Sequence, residues 1–136
     1  MRIGIDISSG EHSPQDLFLS LLQFSQETKD SLIDFVNDKL VKNETEIFRG
    51  TDNLKIIPVS QTISMDDNPI KSLKKKKDSS IVRGLEYLKK GIIDFFFSPG
   101  NTGAIITGSR QIIGLVKPIS FPALAVIIPN IHGDVI

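Results

Sequence analysis

Few side chains in this sequence can do chemistry, and they fall in three short clusters. The sharpest is Gly100-Asn101-Thr102-Gly103, between an apolar run and an amphipathic stretch. The first N–H groups of a helix lack intrahelical partners and carry a partial positive charge, so a loop leading into one attracts anions. Glycines let the backbone approach a ligand closely, and Asn101 and Thr102 add side-chain hydrogen bonds. The same residues also make a tight turn and a helix cap, and spacing alone supports both uses. The second cluster is Lys74-Lys75-Lys76-Lys77-Asp78-Ser79-Ser80. A lysine run is commonly a solvated helix face. Here Lys77 meets a second helix start capped by Ser79 and Ser80, and two such termini with a lysine could hold a phosphate or pyrophosphate if the fold joins them. Neither phosphate-loop signature matches, since no glycine pair precedes a Lys-Ser and the first turn has a single glycine. The third cluster is Asp6 with Gly10-Glu11-His12. An imidazole beside carboxylates can act as general acid or base, or serve simply as a hydrogen-bonded turn residue.

Other residue types close off whole classes of function. With no cysteine there is no disulfide framework, no cysteine-ligated zinc and no cysteine nucleophile. His12 and His132 lie far apart, and Asp66-Asp67 reads first as a helix start, so no metal is expected. Sixteen basic and sixteen acidic residues give zero net charge, which argues against a general nucleic-acid binder. The one tyrosine, Tyr87, is not interleaved with the lysines as RNA stacking would need. Asp6 interrupts any signal-peptide apolar stretch, and no apolar run is long enough to span a membrane, so a cytoplasmic location is expected.

The elements that must position these clusters follow from the apolar pattern. In 136 residues, 40% of them apolar, there is room for one domain. Short apolar runs alternate with amphipathic stretches, which predicts an α/β fold with a largely parallel sheet and helices on both faces. Residues 2–7 predict a strand with Ile3, Ile5 and Ile7 on one face. Ser13-Pro14 opens a helix, with Asp16 favourable at its positive end; its apolar face is Leu17, Phe18, Leu21, Leu22 and Phe24. Residues 31–36 predict a strand broken by Asn37-Asp38, residues 39–53 at most a frayed helix, and residues 54–59 a strand that Pro58 puts at an edge. Residues 66–77 predict a polar, solvent-facing helix that Pro69 helps start. Asp78-Ser79-Ser80 caps the next helix, with Ile81, Leu85 and Leu88 on its apolar face and Gly91 at its end. Residues 92–97 predict a strand buried on both faces, 102–113 a helix, 122–128 another buried strand ending at Pro129, and His132-Gly133-Asp134 a turn.

Taken in order, these segments resemble the N-terminal part of the bacterial phosphate acyltransferase (PlsX) family. The resemblance is carried by Met1-Arg2-Ile3-Gly4-Ile5-Asp6, Gly10-Glu11-His12-Ser13-Pro14, Met65-Asp66-Asp67-Asn68-Pro69, Lys76-Lys77-Asp78-Ser79-Ser80, Ser98-Pro99-Gly100-Asn101-Thr102-Gly103-Ala104 and Pro122-Ala123-Leu124-Ala125-Val126. It implies transfer of a long-chain acyl group from acyl carrier protein to inorganic phosphate, in fatty acid and phospholipid synthesis. It further implies a fold like isocitrate and isopropylmalate dehydrogenases, no cofactor, a homodimer and peripheral membrane association. The substrate-binding residues expected on this basis are Asp6, Gly10, His12, Lys77, Ser79, Ser80, Gly100, Asn101, Thr102 and Gly103, with His12 and Asn101 the catalytic candidates. Three features depart from the family pattern: Ser9 stands at a usual glycine, Glu11 at a usual aspartate and Asn37 at a usual glycine. Family members are more than twice as long, so the resemblance implies a single truncated domain over residues 1–136 with an incomplete sheet. The alternative is an inactive remnant or a non-catalytic module that binds phosphate or carrier protein; a phosphotransacetylase-like enzyme using acyl-CoA fits the ordered motifs less well.

Overall fold

The computed structural model describes residues 1–43, 51–125, 128–130 and 133–135. Strand β1 (Arg2–Ile5) is followed by helix α1 (Pro14–Glu27), strand β2 (Ser31–Asn37), the short helix α2 (Asp38–Asn43) and strand β3 (Leu54–Val59). Helices α3 (Pro69–Lys75) and α4 (Ser80–Lys89) lead to strand β4 (Phe95–Phe97) and helix α5 (Thr102–Gly108). A π-helical turn over residues 109–113 extends α5, and strands β5 (Ile128–Asn130) and β6 (Gly133–Val135) form an antiparallel pair. The main sheet has the order β3-β2-β1-β4 and is parallel throughout.

That order has one consequence for function. The chain steps outward from β1 to β2 to β3, then crosses back to lay β4 on the other side of β1. The winding direction therefore reverses between β1 and β4, and in open α/β sheets the crevice beyond the carboxyl ends of two such strands is where ligands bind.

Alternation along the strands makes two cores. Ile5 and Ile7 face α1 and pack with Phe18, Leu21, Leu32, Val36 and Leu54. On the other face Phe35 meets the Tyr87 ring edge-on at 5.1 Å and Phe96 at 6.1 Å. Beyond them Ile81, Val82 and Leu85 of α4 pack with Ile63, Leu73 and Ala104. Helices thus cover both faces. The helix starts are local chemistry: Ser13 accepts from Asp16 N with Pro14 in the first turn, and Ser79 accepts from Val82 N. Asn68 caps α3, which corrects the expectation for the Asp66-Asp67 pair; Asp67 instead accepts from Ser64 N and pairs with Lys76.

Three expectations change. The predicted strand over 92–97 is only three residues long. Within the described residues nothing pairs beyond β4, so Phe95 and Phe97 are 52% and 55% exposed, while Ile93 is buried. Residues 122–125 form no strand, and Leu124 is exposed; Val126 and Ile127 lie outside the described residues. Pro129 lies inside β5 instead of ending a strand, and Gly133 and Asp134 belong to β6 instead of a turn; His132 lies outside the described residues.

Candidate functional site

The crevice between β1 and β4 is built around Asp6. This residue directly follows β1 and is 1% exposed. One carboxylate oxygen accepts the backbone N–H groups of Ser8 at 3.0 Å and Ser9 at 3.1 Å, which folds the loop after β1 back on itself. The other accepts the Ser98 hydroxyl at 2.8 Å, from the loop after β4. Asp6 is thus a pin between the two loops. Burial pushes its carboxyl above the ordinary aspartate value, and bonds from Ser98, Ser9, Ser80 and Ser8 pull it partly back.

Glycine is required at two points where the loops touch. Gly10 has φ +104°, a left-handed backbone, and a Cβ there would lie 3.1 Å from the Pro99 carbonyl oxygen. At Gly100 an added Cβ would lie 2.5 Å from Ser9 Cβ, closer than any real contact. Ser9, where the resemblance expects a glycine, fits within the crevice. It is buried, and its hydroxyl lies 3.2 Å from that of Ser80 in the first turn of α4. Through Ser9 the loop after β1 touches both the start of α4 and the loop leading into α5.

The carboxyl edge beneath is cross-braced. Asp78 accepts the Ser60 backbone N–H at 2.9 Å and hydroxyl at 2.6 Å, and its own N–H donates to the Gln61 side chain, which holds the α4 start against the end of β3. The Asn37 side-chain amide donates to the Thr62 hydroxyl oxygen, and its backbone N–H donates to the Ser8 hydroxyl oxygen. Asn101 is buried, and both ends of its amide are engaged. The oxygen accepts Ala104 N–H at 2.9 Å, while the nitrogen donates to the carbonyls of Ser64, Met65 and Asp67. Its side chain fixes the loop, and the neighbouring backbone amides are what it presents.

Of the residues expected at the site, Asp6, Gly10, Ser80 and Gly100 come together through Ser9. Ser79 and Asn101 are buried caps of α4 and α5, Gly103 lies in the first turn of α5, and Thr102 is exposed. His12 is exposed in the loop after β1 and lines, with Asp6 and Pro99, one end of an apolar groove of about 690 Å³ between α1 and β4. Lys77 is exposed, and among the described residues it has no ion pair. Ser9 and Ser98 are the site residues that sequence reasoning missed. Ser98 directly follows an apolar run and precedes Pro-Gly, which is a usable signal; Ser9 looked like a substitution and nothing more.

Among the described residues, no cluster of three His, Asp or Glu side chains could hold a metal ion. No helix among them is long and apolar enough to cross a membrane.

Known proteins give the geometry a family. A family model described as fatty acid synthesis protein matches residues 1–136. The phosphate acyltransferase of Caldicellulosiruptor bescii is 39% identical over 136 residues, covering 98% of this chain and 41% of the relative. That of Thermoanaerobacter pseudethanolicus is 36% identical, over 98% of this chain and 40% of the relative. That of Leuconostoc citreum is 31% identical, over 98% and 38%. The chain spans about two fifths of the length of these relatives. A match over all its residues and a switch-point crevice built from the matching motifs make this chain a member of the fatty acid synthesis protein family.

Proposed function

We propose that the crevice between β1 and β4 is the phosphate half of an acyltransferase site, and that residues 1–136 form one domain of it. The reaction is transfer of a long-chain acyl group from acyl carrier protein to inorganic phosphate, in fatty acid and phospholipid synthesis. The observation that carries this is the junction of the α4 start, the Ser9-Gly10 loop and the Gly100-Gly103 loop on one buried serine. Helix starts and adjoining loop amides are anion-seeking, and they keep their dipoles aimed without reorganisation.

The chemistry needs three things. A phosphate oxygen attacks the thioester carbonyl carbon; the new C–O bond forms, the C–S bond breaks, and the departing thiolate takes up a proton. Phosphate must be held against a carbonyl that becomes an oxyanion, and backbone N–H groups at Ser80 and Gly103 offset that repulsion, while the Gly100 N–H is donated to the Ser98 hydroxyl oxygen and shapes the loop. Both oxygens of Asp6 accept the chain's own donors, so its part in the site is to brace the two loops. His12, at the mouth of the crevice, is the titratable group assigned to the proton, and Lys77 is a mobile countercharge. The apolar groove that begins at Asp6, His12 and Pro99 suits the acyl chain. A homodimer, a cytoplasmic location and peripheral membrane contact belong to the same proposal.

The test is formation of acyl phosphate, trapped with hydroxylamine, from long-chain acyl carrier protein and phosphate by the purified chain. Turnover that falls at least tenfold in His12→Ala supports the assignment. Phosphate binding without turnover leaves the non-catalytic module, and absence of phosphate binding removes both.

A further inference from the structure

Apart from Lys77, the lysine run is the motif that the crevice leaves unused. Lys71, Lys74 and Lys75 stand at positions i, i+3 and i+4 of α3 and so share one helix face, while Ser72 and Leu73 are buried. These three and Lys77 are all exposed, and among the described residues none of them forms an ion pair. Lys76 differs: it turns inward to Asp67 and the Thr62 carbonyl. Like charges one turn apart destabilise a helix by a few tenths of a kcal/mol per pair, and the helix C-terminus offsets part of that for Lys74 and Lys75. What remains is a concentrated positive face on a chain whose net charge is zero.

This face is joined to the crevice. The Asn101 side chain donates to the carbonyls of Ser64 at 3.1 Å, Met65 at 3.0 Å and Asp67 at 3.1 Å, in the turn that leads into α3. Pro69 at the start of α3 sits against Gly103, where a Cβ would lie 2.8 Å from Pro69 Cγ. A partner seated on the lysines is therefore one helix away from the loop that would hold phosphate.

We propose that Lys71, Lys74, Lys75 and Lys77 form the docking face for an acidic protein that delivers the acyl thioester on a flexible arm. The inference rests on the reading of acyl carrier protein as donor and adds the surface that receives it. Charge complementarity selects the partner, and such surfaces steer association more than they add contact area. A lipid surface is a poorer match. A helix that lies on a membrane needs a broad outward apolar face, whereas α3 has two turns, buries Leu73 and exposes only Ile70 of its large apolar side chains.

The experiment is a titration of the chain with unacylated acyl carrier protein, at low and at physiological salt. Beside it stand the triple variant Lys71→Glu, Lys74→Glu, Lys75→Glu and a milder triple Lys→Gln variant at the same positions. Binding to the original chain should weaken as salt rises. It should fall at least about tenfold in the Glu variant and by less in the Gln variant, with inorganic phosphate binding equal in all three. Equal carrier-protein binding by original and variants overturns the proposal. So does binding of the original chain to phosphatidylglycerol vesicles but not to carrier protein. Salt-sensitive carrier binding that the variants lose, in a chain that fails to bind phosphate, upholds the docking face and strikes only the phosphate reading.

Discussion

The two sides of β4 are finished very differently. At its carboxyl end buried side chains are bonded to one another and to the backbone: Ser98 and the Ser8-Ser9 turn meet on Asp6, Asn101 spans three carbonyls, and Ser9 meets Ser80. Along its flank the reverse holds. Phe95 and Phe97 are half exposed over an apolar groove shared with Met1, Ile3, Phe24 and Leu17. Hydrogen bonds have directions and fix a small polar junction from within, whereas apolar burial has no direction and needs a covering surface. The junction is pre-organised by side chains of this chain, and the flank leaves apolar rings uncovered among the described residues.

Substitutions that break the junction should cost most. Asn101→Ala removes the α5 cap and leaves three part-buried hydrogen bonds to the carbonyls of Ser64, Met65 and Asp67 unmade, so a loss of about 3 kcal/mol is expected in urea unfolding, with phosphate binding abolished. A loss under about 1 kcal/mol would mean that the loop is held elsewhere. Gly100→Ala drives a Cβ into Ser9 and should cost about 2 kcal/mol. Phosphate affinity should fall more than in a control substitution at the exposed Thr102.

A single buried residue blurs the contrast between closed junction and open flank. Asp34 lies between Leu32 and Val36 on β2, is fully buried, and neither of its side-chain oxygens has a hydrogen-bond partner. Burial pushes its carboxyl well above the ordinary value, the charge of Asp6 adds to the rise, and the nearby backbone N–H dipoles of Ile7 and Phe35, which make no full hydrogen bond to it, offset only part of it. The sign follows directly. A raised native value means that folded Asp34 holds a proton the unfolded chain releases, so the contribution of Asp34 to stability is full below about pH 4 and is lost as pH rises above it. Asp34→Val should therefore stabilise the chain by about 2 kcal/mol at neutral pH and flatten the decline. Equal pH dependence in both proteins would show that Asp34 is already solvated.

The smallest effect belongs to the open flank. The double substitution Phe95→Ser, Phe97→Ser removes exposed rings, so stability should change by about 0.5 kcal/mol or less. Self-association at high concentration, followed by light scattering, should drop. A large loss of stability would place those rings in a core.

How much of this was legible in the sequence differs along the chain. Capping chemistry and periodicity gave the start of α1 and both ends of α4 nearly to the residue, because Ser13-Pro14 and Ser79 satisfy local N–H groups whatever surrounds them. For α3 the pattern predicts a helix over 66–77 with Asp66-Asp67 as caps, whereas it begins at Pro69 under Asn68. The apolar run at 92–97 misled, because three phenylalanines look the same in a covered strand and at an uncovered edge. Motif residues around Gly100 and Ser80 were visible. That Ser9 joins them was not, since a contact between residues 71 apart depends on how the sheet is wound.

The most direct measurement is a titration of the 15N-labelled chain with inorganic phosphate, followed amide by amide. The account predicts saturable shifts that share one affinity at Ser9, Gly10, Ser80, Gly100 and Gly103. Shifts confined to the lysines of α3, or different affinities for the two helix starts, would contradict it.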